Sequence, residues 1–357
     1  MKTLDRYILK RFFINFMWLA LAFLMVFIVV DLVENFDKYI DKNASLEDIV
    51  LFYVYFLPWI FVIVSPVGIL LSANFTGNSL ARTNEVVACK SVGISSLRFG
   101  KWVYIFAFFW SLFILVFGEM VVPPASAKSD YIKDYKIYKR KKRTKIKRDI
   151  HVLGEKGETY SIKSYNPANQ TAFDVAIVFF DDSTRIQKRI DARSMRWVDN
   201  HFELNNVYIR TFKADSEYTE FKPKQKLQAN EKPEDFLVTR VDPDKMGFYK
   251  LLKFIQKQKR MGRNPIKEQT ELYVKISFPF ANLIILLFSL PIALHMRKSG
   301  AAIAFGISFI VAFLYFSLVR IGQSLGYNET LSPLMAANLG NIVFGLLGLG
   351  ILIRFRD

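Results

Sequence analysis

The side chains best suited to chemistry in this chain are few: one cysteine, Cys89, and three histidines, His151, His201 and His295. A single cysteine excludes an internal disulfide and any cysteine-cluster zinc site, and the histidines fall at no ligand spacing. The sequence has no H-E-x-x-H pattern and no nucleophile accompanied by a plausible base. The nearest approach to a phosphate loop runs from Gly93 to Gly100-Lys101-Trp102. It has six residues between its glycines, and Trp stands where a hydroxyl is needed. The chain is therefore expected to be non-catalytic and without a cofactor of its own. Energy for any work it does is expected to come from another chain.

The chemistry that remains is electrostatic. Leu80 to Ser95 reads LARTNEVVACKSVGIS and places Arg82, Glu85, Lys90 and Gly93 between two strongly apolar stretches. A helix over about 78–95, turning by about 100° per residue, puts Leu80, Ala81, Val87, Ala88 and Val92 on one arc. Arg82 and Lys90 then lie opposite, with Glu85 on the flank. Such a helix can rest against the ends of longer helices and show its charges to a soluble partner; the same pattern also fits a solvated connector.

The elements that hold this segment follow from composition. The chain has 357 residues, 52% of them hydrophobic and 15% aromatic, yet 49 Lys and Arg outnumber 32 Asp and Glu for a formal net charge of +17. That combination indicates a membrane protein with a basic polar portion. Nucleic-acid binding, the other common reading of such a charge, needs a folded basic face and is not expected here. Six segments match the roughly 20 apolar residues that span a hydrocarbon core: Phe12 to Val30, Ile49 to Phe75, Trp102 to Gly118, Ile276 to Leu294, Ala301 to Val319 and Leu331 to Ile353. The first apolar run follows charge, as in a signal peptide, but it is long and lacks a small-residue cleavage site, so it is expected to stay as a helix.

Between the third and fourth spans the period changes. Tyr160 to Tyr165, Phe173 to Phe180 and Phe202 to Leu204 read as strands, broken at Asn166-Pro167, Asp181-Asp182 and Asp199-Asn200. The expected architecture is an α-helical polytopic membrane protein with an antiparallel β domain inserted between two three-helix halves. Its parts are 1–122, 123–270 and 271–357, with a helical stretch from Met246 to Met261 leading back to the membrane.

Lys and Arg in short loops mark the cytoplasmic side. Lys2, Arg6, Lys10 and Arg11, then Arg82, Lys90, Arg98 and Lys101, then Arg297 and Lys298, then Arg354 and Arg356 fall on one side. Asp31, Glu34, Asp37, Asp41, Glu47, Asp48 and Glu329 fall on the other, opposed by Lys38 and Lys42. Both termini are thus expected in the cytoplasm and the β domain outside. The basic cluster Lys139 to Arg148 lies on the unexpected side, but long domains cross largely regardless of charge. Pro58 and Pro66 are expected to kink the second span. Gly340, Gly345, Gly348 and Gly350 are expected to let the last span approach its neighbours closely.

Several stretches resemble one family, in order along the chain. Leu4-Asp5-Arg6-Tyr7-Ile8 is similar to its opening, Leu80 to Ala88 with Gly93-Ile94-Ser95 to its coupling helix, and Gly118-Glu119-Met120-Val121-Val122-Pro123 to the exit of its third span. Arg189 to Trp197 followed by Phe202 to Arg210 resembles the strand pattern of its periplasmic domain. The family is that of the lipopolysaccharide-export permeases of the LptF/LptG type, and the opening leans toward the LptG half.

The resemblance implies an ABC-transporter subunit of the bacterial inner membrane. A cytoplasmic ATPase dimer that binds the ATP, a paralogous permease and periplasmic jellyroll bridge proteins would be its partners, and the inserted domain would itself be a β-jellyroll. The work would be extraction of lipopolysaccharide. Glu85, Arg82, Lys90 and Gly93 would couple to the ATPase. Cations near the outer span ends, Lys38, Lys42, Lys128, Lys133, Lys136 and Arg320, would meet the phosphorylated headgroup, although each also suits interfacial snorkelling. The family often carries basic residues on the outer part of its first helix, where this chain has Glu34 and Asp37. The competing readings are another lipid or lipoprotein exporter, or a membrane-anchored sensor or scaffold whose basic external domain binds an anionic polymer.

Overall fold

The computed structural model describes residues 3–139, 147–154, 158–181, 185–213, 216–228, 233, 243–260, 264–295 and 301–354. Arg297, Lys298, Arg356, Met261 and most of the Lys139 to Arg148 cluster lie outside them. The helices are α1 (Thr3–Asp41), α2 (Leu46–Arg82), α3 (Glu85–Ser91), α4 (Ser96–Met120), α5 (Val122–Tyr131), α6 (Phe248–Arg260), α7 (Ile266–Ser277), α8 (Ala281–His295), α9 (Ala301–Tyr327) and α10 (Pro333–Arg354). Among the described residues six helical stretches are long and apolar enough to cross a membrane: α1, α2, α4, α7 continued through a short 3-10 turn into α8, α9 and α10.

The helices outrun the apolar segments because their polar ends suit helix termini. Asp5 opens α1 and Lys38 closes it, each complementing the helix dipole. Ser45 caps α2 by accepting the Asp48 N–H, and Glu47 and Asp48 occupy the first turn. The α2 helix runs on through both Pro58 and Pro66.

The chain divides into two compact units, Met1–Arg140 with Pro243–Leu252 and Ile266–Asp357, and Lys141–Asp242 with Lys253–Pro265. In the helical unit α2 and α8 are central. Phe12 and Phe16 of α1, Ile69 and Ala73 of α2, Val103 and Ala107 of α4, and Leu286 and Leu290 of α8 share one core. Leu70, Ile285, Tyr315 and Phe344 build a second with α9 and α10. The most apolar window of the fourth span is 56% buried within the chain and that of α1 only 11%, so α1 presents most of its apolar surface outward.

Polar side chains bridge the helices, as expected where apolar surfaces alone give little helix specificity. Ser65 of α2 donates to Asn282 of α8 at 2.8 Å and accepts from the Trp110 indole of α4 at 2.8 Å. Asn74 donates to Ser308 of α9 at 2.6 Å.

Close approach depends on glycine only where a Cβ would collide. A Cβ on Gly340 would lie 3.0 Å from Val319, and one on Gly348 would lie 3.1 Å from the backbone of Phe288. Gly345 has ordinary clearance and Gly350 faces open space, so the expectation holds for only two of the four positions. The tightest seam was not anticipated. It lies on α9, where a Cβ at Gly322 would run into the Ala336 carbonyl and one at Gly326 would sit 2.7 Å from the Ala336 Cβ.

The second unit carries strands β1 (Lys147–Leu153), β2 (Thr159–Asn166), β3 (Thr171–Phe180), β4 (Ile186–Val198), β5 (His201–Lys213) and β6 (Ser216–Leu227). They form one antiparallel sheet in the order β1-β2-β3-β4-β5-β6, a meander in which each strand pairs with its sequence neighbours. Alternation buries Ile162, Tyr165, Val175, Ile177, Ile190, Phe202, Leu204 and Val207 in one core. Asp199 and Asn200 both have positive φ and leave Val198 opposite His201, the two-residue turn that suits strand twist. Arg189, two residues before it on β4, and Arg210, across the sheet on β5, both pair with Asp191, and the Asp191 carboxylate holds the Arg189 guanidinium above its ordinary range. The edge strand β6 is largely exposed and carries Lys222, Pro223, Lys224 and Lys226, residues that discourage a further strand from pairing.

Candidate functional site

The continuous helix expected over about 78–95 does not form. The α2 helix stops at Arg82 because the Thr83 hydroxyl bonds back to the Ser79 and Leu80 carbonyls, and Asn84 then takes a left-handed conformation at φ 59°. The chain restarts as α3, and the buried face changes accordingly: Val86 is inside, Ala88 is exposed and Val92 is 78% exposed.

Glu85 opens α3 and gathers neighbours from three other places in the chain. Its Oε1 accepts from the Thr83 hydroxyl at 2.7 Å and the Tyr7 hydroxyl at 3.4 Å, and it lies 3.5 Å from Arg11 Nη1. Arg11 also donates to Tyr7 at 2.7 Å and to Ser79 at 2.5 Å. The Glu85 and Arg11 side chains are each 31% exposed, so the carboxylate is held in place while still reachable.

Lys90 fixes the other end of α3. Its Nζ lies 3.2 Å from His295 Nε2. His295 Nδ1 lies 2.8 Å from the Pro291 carbonyl. A carbonyl can only accept, so the proton is assigned to Nδ1 and the Nε2 lone pair receives the lysine. Gly93, at φ 77°, ends the segment by donating its N–H to the Lys90 carbonyl, a turn that excludes most side chains. Burial pushes the Cys89 thiol up, with a smaller contribution from the charge of Glu85. Arg82 is exposed beside a hollow of about 340 Å³ lined also by Phe75, Asn78, Ser79 and Thr83.

Five of the six cations expected to meet a headgroup lie at the far end of the bundle, around the α1–α2 hairpin. Tyr39, Phe52, Tyr53, Ile132 and Ile137 form a core there that holds α5 and the following π-helix, Ile132–Ile137, against α2. Lys128 lies over the Tyr55 ring at 5.2 Å and Lys133 over Phe52 at 5.3 Å. Lys136 pairs with Asp48 at 3.1 Å, and that carboxylate holds its ammonium above the ordinary range. Lys38 donates to Asn35, and Lys42 is exposed at the end of the hairpin.

Arg320 belongs to a different network. It donates to Gln323 at 2.9 Å, and Gln323 in turn donates to Glu271 at 3.0 Å. The Tyr327 hydroxyl also donates to Glu271, which is only 4% exposed. Arg320, Gln323 and Glu271 border a cavity of about 200 Å³ lined also by Trp59, Phe316 and the ion pair of Glu119 with Lys275 at 3.8 Å. Glu119 accepts the Phe248 N–H as well, tying the exit of α4 to the start of α6. Sequence reasoning had not assigned functions to Tyr7, Arg11, Glu119, Glu271, Lys275 or Gln323. For the two glutamates a signal was available, since acids at the margins of apolar spans are costly and need partners.

Six apolar helices, polar bridges between them and an inserted antiparallel sheet define a multi-pass membrane protein with an extramembrane β domain. Residues 6–354 match the family "Lipopolysaccharide export system permease LptF/LptG", and the chain belongs to that family. It is accordingly an inner-membrane protein of the lipopolysaccharide export system. An uncharacterized protein of Aquifex aeolicus (strain VF5) is similar to it, 22% identical over 299 residues that cover 80% of each chain.

Proposed function

We propose that this chain is a non-catalytic permease subunit, LptG-like in its opening residues, that couples a separate ATPase to extraction of lipopolysaccharide. The match along nearly the whole chain carries this reading. In it both termini and α3 are cytoplasmic, an ATPase dimer binds the ATP and grips the end of the bundle at Glu85 and Arg82, and the β domain hands lipid to a periplasmic bridge. A charged, anchored helix suits that task, because movement in a partner reaches the membrane only through contacts that differ between its states. The outward apolar face of α1 supports pairing with a second permease around a shared lipid path.

Purification of the chain from its native membrane should recover an ATPase and a related permease. Recovery of neither would remove the proposal in favour of a scaffold, which needs no such partners.

In this reading the lysines around the α1–α2 hairpin face the periplasm and meet headgroup phosphates. Lys38 and Lys133 stand close to the hairpin, whereas Arg320 is engaged with Gln323. Photo-crosslinkers at positions 38 and 133 are therefore expected to capture lipopolysaccharide during ATP turnover. Capture at neither position would exclude this cluster from the path.

A further inference from the structure

A groove of about 770 Å³ opens where α4, the start of α6 and α7 meet, lined by Leu115, Phe248, Tyr249, Lys250 and Ile276 among others. Its lining is almost wholly apolar, and its walls are clamped. Glu119 of α4 accepts the first N–H of α6 and pairs with Lys275 of α7, whose side chain is 13% exposed. Lys250 is exposed at the rim, and Tyr249 is 67% exposed beside it.

The helix that supplies this rim has a pronounced two-sided character. The sequence FYKLLKFIQKQKR carries five cations and no acid. Leu251 and Ile255 are buried, whereas Lys250, Lys253 and Lys257, at i, i+3 and i+7, are exposed. Only five residues separate α6 from the fourth span. A basic amphipathic helix adjoining a membrane span has the chemistry of an anionic lipid contact.

We infer that the groove holds an acyl chain of an anionic glycerophospholipid whose phosphate rests against Lys250. The site lies apart from the α1–α2 lysine cluster and shares only Leu115, Glu119 and Lys275 with the cavity beside Arg320. It fits a resident membrane lipid better than a transported one because the Glu119–Lys275 pair and the Phe248 N–H bond to Glu119 fix its walls.

The test places benzoylphenylalanine at Tyr249 of the full chain, in nanodiscs of phosphatidylcholine with a minor share of phosphatidylglycerol, and identifies the adducts by mass. Phosphatidylglycerol adducts should exceed that lipid's share of the bilayer. Lys250→Gln should lower the enrichment about fivefold, the contribution of one cation near an anionic surface. Ile276→Trp, which fills the groove, should remove the adducts at an unchanged melting midpoint. Adducts in simple proportion to bilayer composition would overturn the inference. So would preferential capture of lipopolysaccharide when it is added, because the groove would then belong to the transport path.

Discussion

Glu85→Lys should detach the chain from its ATPase partner. The substitution removes the carboxylate proposed to meet a basic residue across the interface and sets a second cation near Arg11, which now lies 3.5 Å from Glu85. Losing one member of a desolvated interfacial charge pair costs about 2–5 kcal/mol, much of it from the stranded partner. At about 1.4 kcal/mol per decade, that weakens association roughly thirtyfold or more. Fold damage must be separated from lost docking, because Glu85 also binds Thr83 and Tyr7 within the chain.

Glu85→Gln provides that separation. An amide oxygen can still accept both hydroxyls, and a part-exposed pair such as Arg11 with Glu85 contributes only about 0–1 kcal/mol. Its melting midpoint should stay near that of the parent while partner binding falls. Normal co-purification and normal lipid-stimulated ATP hydrolysis in both variants would sink the docking role.

Gly322→Leu should be the most damaging single substitution in the bundle. The new Cβ would meet the carbonyl of Ala336, and helix backbone cannot turn aside as a flexible side chain can. Overpacking of this kind costs about 1–3 kcal/mol, and more where backbone must shift. Gly350→Leu is the control, since nothing lies within 4 Å of a Cβ there. In detergent, thermal unfolding should begin at clearly lower temperature for Gly322→Leu and be unchanged for Gly350→Leu. Equal midpoints would mean that α9 and α10 do not pack as described.

What could be read from the sequence depended on the distance over which each signal acts. The six spans were legible because a bilayer demands a long unbroken apolar run, and three of the six strands because Tyr160 to Tyr165, Phe173 to Phe180 and Phe202 to Leu204 alternate or run apolar. The inserted β domain was expected as a jellyroll, and its six described strands form a sequential antiparallel meander. Strand β1 was obscured by the basic run beside it and β6 by an edge composition rich in lysine. The break in the segment around Glu85 escaped because helical periodicity takes no account of Thr83 back-bonding or of the left-handed turn at Asn84.

The surroundings of the chemically interesting residues were less legible still. Tyr7 and Arg11 reach Glu85 across more than seventy residues of chain. Lys90 was read as an outward charge, yet it rests against His295, a histidine with no metal-ligand pattern. The glycine seam was partly foreseen on α10, but the stronger half is Gly322-x-x-x-Gly326 on α9. That spacing is itself a sequence signal for close helix approach, one the last span's four glycines overshadowed.

The chain is proposed to move lipopolysaccharide when an ATPase drives it. Proteoliposomes containing the chain, its paired permease and the ATPase test it most directly, with lipopolysaccharide release to a soluble periplasmic acceptor followed over time. ATP should produce release from vesicles carrying the parent chain, and Glu85→Lys should reduce it to the level seen without ATP. The same slow release with and without ATP in the parent vesicles would contradict the claim.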